Sequence, residues 1–191
     1  AVATFADAEL KAEVLPDLCD AKDGKLGAFA LSEPHCGSDA AALKTKAERV
    51  GDEYILNGAK QWITNGAHAS WILVMARTGE QEDGASGVTC FAVDAETPGL
   101  SYGAQERKMG WNCQPTAAVI MEDCRVPAAN MLLGEGRGFE IAQGRLGPGR
   151  IHHCMRLLGM CERSLEWMCA RVDNRVAFGK PLSQQGGMQD S

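Results

Sequence analysis

The sequence predicts an α+β protein whose middle domain is a mainly antiparallel β-barrel or sandwich flanked by helices. Short strand-like runs, joined by Gly, Pro, Asn and Asp, follow one another through residues 26–133 without helices between them. Apolar residues recur at helical spacing in residues 5–15 and 148–178 instead. With 191 residues, 45% of them hydrophobic, the chain is long enough to bury a core.

The charge and hydropathy of the chain argue against two classes of partner, nucleic acids and the membrane interior. The chain has 19 lysine and arginine residues against 25 aspartate and glutamate residues, a net charge of −6, and contains no basic cluster. We expect no nucleic-acid partner, because an acidic surface repels phosphate backbones. The longest apolar run, residues 71–76, is far too short to cross a bilayer, so we also expect no integral membrane segment.

Cysteine usage and the N-terminal sequence favour an intracellular protein. The eight cysteines and four histidines follow no zinc-ligand spacing, so we expect no metal site. Most cysteines lie in apolar stretches, which is typical of reduced thiols in a reducing compartment. Residues 1–10 lack the basic and apolar regions of a signal peptide. Because the first residue is not methionine, we expect the chain to be a segment of a longer protein.

Local patterns predict the elements in order. Residues 5–15 form an amphipathic helix that Pro16 ends. Strands follow at residues 47–50, 54–56, 60–63, 71–77, 87–94 and 117–121. Gly51-Asp52 joins the first two strands, and Asn57-Gly58 joins the second and third as a two-residue hairpin turn, because both residues tolerate positive φ.

A long helix follows, with Pro148 in its first turn. Its apolar stripe comprises Ile151, Met155, Leu158, Leu165, Met168, Val172 and Val176. A single helix cannot bury such a stripe against itself. We therefore expect this stripe to pack against helices from a further segment of the same protein or from another subunit.

Residues 31–39 (LSEPHCGSD), followed by AAALK, predict a turn that leads into a helix. Gly37 permits close approach of the backbone, and Ser38 or Asp39 can cap the helix. Free N–H groups at a capped helix start bind phosphate. Taken alone, the stretch is more typical of an ordinary strand-to-helix turn.

Two further groups of residues suit a bound cofactor. Trp62 and Thr64 lie two apart on a strand and so share a face, which can stack on a flat conjugated ring while the hydroxyl bonds its edge. A lone pair of this kind is more often part of a barrel core or rim. Arg150, Arg171 and Arg175 suit phosphate or carboxylate partners, although helical arginines more often form a solvated face.

Several stretches in fixed order carry a family resemblance. They are residues 28–34 (AFALSEP), 37–39 (GSD), 57–65 (NGAKQWITN), 108–111 (KMGW), 121–127 (MEDCRVP), 136–139 (GRGF) and 175–182 (RVAFGKPL), together with Arg150. Each is weak alone, but in this order they resemble the acyl-CoA dehydrogenase family, flavin enzymes of acyl-thioester oxidation. Residues 147–153 (GPGRIHH) are most similar to the branch sometimes fused to a kinase-like domain.

The resemblance implies a β domain between two helical domains. Residues 1–25 would be the end of the N-terminal helical domain, and residues 26–136 the β-barrel middle domain. Residues 137–191 would begin the C-terminal helical domain. The resemblance also implies a homo-oligomer, a dimer or a tetramer.

The resemblance implies FAD as cofactor. Its binding residues would be Phe29, Leu31, Ser32, Gly37, Ser38, Trp62, Ile63, Thr64, Arg175 and Phe178. The first three would line the pyrimidine side of the flavin, and Gly37 and Ser38 would meet the pyrophosphate. Trp62 would cover the ring and Thr64 would bond near N5. Arg175 and Phe178 would contact FAD held largely by a neighbouring subunit.

The reaction implied is α,β-dehydrogenation of an acyl-CoA to a trans-2-enoyl-CoA, with electrons passing to electron-transfer flavoprotein. Ser38 and Arg150 would lie along the acyl-CoA. No catalytic base is visible, because the family's usual glutamate would lie beyond Ser191 and Gly149 occupies the alternative position before Arg150. Two alternatives stay open: an acyl-CoA oxidase that uses oxygen, or a non-catalytic acyl-CoA-binding or interaction module if the chain ends at Ser191. The compartment would be bacterial cytoplasm, or a mitochondrion or peroxisome.

Overall fold

The computed structural model describes residues 1–189, and the chain falls into two compact units with a boundary between Gly144 and Arg145. The first unit contains α1 (Val2–Phe5), α2 (Ala8–Cys19), β1 (Leu26–Ala30), β2 (Lys46–Val50), β3 (Glu53–Thr64), β4 (Ala69–Arg77), β5 (Val88–Asp94), β6 (Leu100–Tyr102), β7 (Thr116–Pro127) and β8 (Met131–Leu132). Helix α3 (Gly138–Asn174) starts in this unit and continues into the second, which adds β9 (Val176–Ala177), β10 (Lys180–Pro181) and α4 (Gly186–Gln189). The predicted third segment, residues 137–191, ends with two residues outside the described range.

The first unit is built on one sheet of eight strands in the order β6-β7-β3-β2-β4-β5-β8, with β1 also paired to β4. β1 runs parallel to β4, with Phe29 opposite Leu73. β2 meets β4 in parallel at a single position, Lys46 opposite Arg77. The other pairings in this sheet are antiparallel. The α+β fold with a mainly antiparallel sheet is therefore confirmed.

The sheet curves around a single apolar core. The rings of Tyr54 on β3 and Phe91 on β5 lie 4.8 Å apart, although β2 and β4 separate these strands in the sheet. The same buried cluster includes Ile72 from β4 and Val119 from β7. Burial of each large apolar side chain contributes roughly 1.5–3 kcal/mol, so closing the sheet on this core is the main source of stability for the unit.

Asn57-Gly58 is not a hairpin turn, so that prediction is wrong. Both residues lie inside β3, which runs on for twelve residues with a register shift at this point. The side-chain amide of Asn57 donates a hydrogen bond to the carboxylate of Asp123 on β7 at 3.1 Å. It also accepts one from the backbone N–H of Asp123 at 2.8 Å. Gly58 has φ +149°, and a Cβ there would lie 2.6 Å from the hydroxyl oxygen of Thr45. The glycine therefore permits close packing in a bulge.

The predicted bounds of both helices are also wrong. Asp7 caps α2 through the Leu10 N–H at 2.9 Å, so the helix starts later than predicted and continues through Pro16. α3 starts ten residues before Pro148 and stops before Arg175. Pro148 lies inside α3, where it offers no N–H to the carbonyl of Gly144. The unit boundary falls directly after that glycine.

The second unit consists of a largely exposed helix followed by a short hairpin. β9 and β10 pair across Phe178 and Gly179, whose φ values of +53° and +79° suit a two-residue turn. Apolar side chains along the helix are exposed within this unit, among them Ile151, Met155, Leu158, Leu165, Trp167 and Met168. Val176 of the predicted stripe belongs to β9 instead. Within residues 1–189, no helix is both long and apolar enough to span a membrane.

Replacing Gly138 with alanine should lower the free energy of unfolding by about 1–3 kcal/mol. The added methyl would lie 2.6 Å from the carbonyl carbon of Thr89, where the first turn of α3 packs on β5. Gly159→Ala is the matched control, because nothing surrounds that position within 4 Å. It should raise stability by roughly 0.5–1 kcal/mol through helix propensity. Urea denaturation measures both variants, and equal effects would contradict this close packing.

Candidate functional site

A buried ion pair joins β3 to the segment that follows β1. The ammonium of Lys60 lies 2.7 Å from Oε1 of Glu33, and the two side chains are 0% and 2% exposed. Lys60 was not predicted as a site residue, although a signal exists in the strand pattern. Lys60 is an even number of residues from Tyr54 and Leu56, so strand alternation places its side chain on the same buried face as theirs. A lysine at a buried position requires a buried partner.

Hydrogen bonds from neighbouring groups surround this pair. Oε1 of Glu33 also accepts from the N–H of Thr45, at 3.0 Å, and from its hydroxyl. Oε2 accepts from the N–H of Lys44 at 2.7 Å, and Lys60 donates to the Leu31 carbonyl at 3.2 Å. Burial alone would raise the pKa of the Glu33 carboxyl, but the Lys60 charge and these hydrogen bonds hold that pKa below its ordinary value. Burial lowers the pKa of Lys60, against the effect of Glu33.

The segment that follows β1 forms a tight turn fastened to β3. Glu33 and Cys36 exchange backbone hydrogen bonds of 2.9 and 3.2 Å across Pro34 and His35. The N–H of Gln61 on β3 donates to the carbonyl of Ser32 at 2.9 Å. Together with the ion pair, these bonds hold the turn beside the C-terminal end of β3.

The helix predicted after Ser38 does not form. Ala40–Ala42 is a single 3-10 turn, and Asp39 makes no side-chain cap. The physical reason is that the N–H groups of Lys44 and Thr45 bond Glu33 and not helical carbonyls. A helix dipole therefore does not support phosphate binding here. The sites that remain for phosphate are the exposed Gly37 and Ser38, whose N–H groups bond no other residue in the range 1–189.

Trp62 and Thr64 are exposed on either side of the buried Ile63. The pairing of β3 with β7 shifts register between Lys60 and Ile63, and Trp62 has φ +57°. A left-handed conformation costs a bulky residue of order 1–3 kcal/mol, and such strain collects at functional sites. Trp62 as a whole is 58% exposed. The hydroxyl of Thr64 makes no hydrogen bond to residues 1–189, so it is open to a ligand.

The predicted site residues divide between the two units. Those that the first unit brings together, on β1, the turn that follows it and the end of β3, are Phe29, Leu31, Ser32, Gly37, Ser38, Trp62, Ile63 and Thr64. Arg150, Arg175 and Phe178 belong to the second unit, where all three are exposed. Arg175 follows the end of α3, and Phe178 lies in the hairpin turn.

Family comparisons match most of the chain. Residues 28–124 match the family described as acyl-CoA dehydrogenase, middle domain, and residues 136–191 match acyl-CoA dehydrogenase, C-terminal domain. The chain belongs to the acyl-CoA dehydrogenase family. The narrower resemblance to the kinase-fused branch stays a prediction.

Individual relatives agree with this assignment. The mitochondrial isobutyryl-CoA dehydrogenase of Dictyostelium discoideum is 44% identical over 95% of this chain and 43% of its own length. The butyryl-CoA dehydrogenase structure from Megasphaera elsdenii is 39% identical, with a TM-score of 0.90 over 99% of this chain and 49% of its own. A structure described as an electron transferring flavoprotein of Acidaminococcus fermentans contains a chain 38% identical, with a TM-score of 0.88 over 99% of this chain and 49% of its own. The chain thus spans about half the length of these relatives.

Replacing Lys60 with methionine should lower the free energy of unfolding by about 3–5 kcal/mol, because the Glu33 carboxylate would stay buried without its cation. Adding Glu33→Gln should recover part of the loss, since no buried charge then remains. Chemical denaturation measures the three proteins.

The matched control is Arg125→Met, which breaks the exposed pair of Arg125 and Glu53 at 3.1 Å. It should change stability by less than about 1 kcal/mol. If Lys60→Met cost no more than this control, the buried pair would not have the structural role assigned to it.

Proposed function

We propose that this chain is the FAD-binding part of an acyl-CoA dehydrogenase that converts an acyl-CoA to a trans-2-enoyl-CoA. The observation that carries the proposal is one surface of the first unit. There, the exposed indole of Trp62 and the unpaired hydroxyl of Thr64 adjoin a turn with exposed backbone N–H groups. A flat ring that carries phosphates matches this combination of an aromatic face and hydrogen-bond donors.

The residues of this surface fit FAD by the chemistry of their donors. Trp62 would stack on the flavin, and Thr64 would donate its hydroxyl to the ring edge. The N–H groups of Gly37 and Ser38 would bind the pyrophosphate. The buried Ile63 fixes the orientation of its two exposed neighbours.

The segment before the turn would complete the wall of the flavin pocket. Phe29 and Ser32 are half-buried and Leu31 is buried, so they offer apolar surface and one hydroxyl beside the pyrimidine ring. FAD, when bound, would serve as the acceptor of a hydride from the β carbon of the acyl group. The role of this chain is to bind and orient FAD and the acyl-CoA, and to exclude water from them.

The second unit would serve the same chemistry from a different subunit. Arg175 and Phe178 would contact FAD that a neighbouring protomer binds, which requires a homo-oligomer, a dimer or a tetramer. Arg150, together with Ser38, would lie along the acyl-CoA. The exposed guanidinium groups suit phosphate, and the exposed apolar face of α3 supports association with other helices.

The base that removes the α proton lies outside these residues in our proposal. Glu33 is unsuitable, because its carboxylate is 2% exposed and committed to Lys60. Gly149 carries no carboxylate at the alternative position. We therefore place the base outside residues 1–191, where the resemblance implies the family's glutamate.

Relatives support the narrower assignments of substrate and electron acceptor. The names isobutyryl-CoA and butyryl-CoA dehydrogenase support a short-chain acyl-CoA as substrate. The match to a chain in the Acidaminococcus flavoprotein structure supports electron-transfer flavoprotein as acceptor. Oxygen consumption during turnover would instead indicate an acyl-CoA oxidase, and bound acyl-CoA without flavin would indicate a binding module.

Trp62→Ala in the full-length protein should weaken FAD binding by roughly 5- to 150-fold, which corresponds to about 1–3 kcal/mol for a lost stacking partner. Fluorescence titration of the apoprotein with FAD measures the change. Trp111→Ala is the matched control, since Trp111 is equally exposed and also has positive φ. A full-length protein that stays colourless after FAD is added would contradict the proposal.

The 191-residue chain loaded with FAD should not reduce an artificial electron acceptor when acyl-CoA is added, because proton abstraction needs a positioned carboxylate. Gly149→Glu should restore a trace of activity, whereas Gly147→Glu should not. Acyl-CoA-dependent reduction by the unmodified chain would show that it contains the base after all.

A further inference from the structure

The turn after β1 brings three metal-ligating side chains together. A carboxylate oxygen of Glu33, a ring nitrogen of His35 and the sulfur of Cys36 all lie within 4.8 Å of one another. The backbone explains the convergence. The reciprocal hydrogen bonds between Glu33 and Cys36 set these residues opposite each other, and directly paired residues project their side chains from the same face.

The spacing of these residues matches no zinc motif, which is why the sequence predicts no metal site. In such motifs the ligands come from pairs separated by two or more residues. Here a two-residue turn supplies them from positions 33, 35 and 36. The tertiary bonds that fasten Glu33 to Lys60 make the arrangement rigid.

Distances and exposure suit a small cation. Tetrahedral zinc with bonds of about 2.0–2.3 Å separates its ligand atoms by roughly 3.3–3.8 Å. Nε2 of His35 is already 3.6 Å from Oε2 of Glu33. Cys36 and Glu33 are buried, whereas the His35 side chain is 41% exposed. The imidazole therefore lies on the side from which an ion can enter, and its Nε2 would exchange a 3.4 Å contact with the Ala42 carbonyl oxygen for the ion.

The two oxygens of Glu33 have different partners. Oε1 accepts hydrogen bonds from the ammonium of Lys60 and the N–H of Thr45, whereas Oε2 accepts one from the N–H of Lys44. A carboxylate oxygen has two lone pairs, so Oε2 can bond the amide and a cation at once. This leaves the ion pair with Lys60 intact when the cation binds.

The charges around the site balance when a thiolate forms. Burial and the charge of Glu33 raise the pKa of the Cys36 thiol. Lys60 lowers that pKa, whereas Asp39 adds to the rise. The ammonium of Lys60 repels a divalent cation, and the carboxylate of Asp39 offsets this repulsion because it attracts the cation. With a Cys36 thiolate and Glu33, the ligands neutralise the two charges of zinc.

We propose that Glu33, His35 and Cys36 form a site for one Zn²⁺, bound through Oε2, Nε2 and Sγ with water as fourth ligand. One thiolate, one imidazole and one carboxylate make a set that zinc accepts. On binding, the S–H bond of Cys36 breaks, its proton goes to solvent and an S–Zn bond forms, with no change of oxidation state. The site does not depend on flavin. Because it directly precedes Gly37, bound zinc would rigidify the turn that we assign to phosphate.

Zinc binding to the full-length protein tests the proposal. Calorimetric titration with ZnCl₂ should show one site per chain, and zinc X-ray absorption should show one sulfur ligand. Cys36→Ala and His35→Ala should each weaken binding about tenfold or more. Zinc should also raise the melting temperature of the wild type and not of Cys36→Ala, since a ligand that binds the folded state stabilises it.

Cys154→Ala is the control for unspecific binding, because the exposed Cys154 lies beside two histidines on α3. It should leave the titration unchanged. Circular dichroism checks that each variant folds. Zinc bound without sulfur, binding unchanged in Cys36→Ala, binding lost only in Cys154→Ala, or no stoichiometric binding would each overturn the proposal. None of these outcomes bears on FAD binding.

Discussion

The buried pair of Glu33 and Lys60 is the constraint on which the candidate site depends. Its two charges lie 2.7 Å apart in the interior and connect a turn, the Lys44–Thr45 segment and β3. A buried pair of this kind contributes little net stability compared with apolar residues of the same volume. Its effect is on specificity, because each hydrogen bond fixes one segment in one register. An apolar contact would let these segments slide.

The exposed surface follows from that constraint. β3 closes the core with Tyr54 and Leu56, then inserts Lys60 towards Glu33. The register shift beyond Lys60 turns the indole of Trp62 outward in a strained conformation. A strained residue persists only where its surroundings over-determine it, and the ion pair, the Gln61–Ser32 hydrogen bond and the β7 pairing provide this. Rigid placement of Trp62 reduces the ordering that a flat ligand would require.

Local sequence patterns predicted the features that depend on local geometry. Strand alternation predicted that Trp62 and Thr64 share a face, and both are exposed; the turn residues predicted the mainly antiparallel sheet. The errors come from contacts distant in sequence. Asn57 bonds Asp123 across 66 positions, so Asn57-Gly58 does not turn. The predicted helix after Asp39 fails because Glu33 takes the N–H groups of Lys44 and Thr45. No local window contains these partners.

The most direct test of this account is hydrogen exchange of the Gln61 amide, which donates to the Ser32 carbonyl at 2.9 Å. The account predicts slow exchange in the wild type. In Lys60→Met it predicts a larger loss of protection at Gln61 than in the β4–β5 pairing, where protection falls only by the loss of global stability. Unchanged protection at Gln61 in that variant would contradict the account, because the turn would then stay on β3 without the ion pair. A loss at Gln61 no larger than that in the rest of the sheet would contradict it too, because the pair would then act on global stability alone and not also on the local position of the turn.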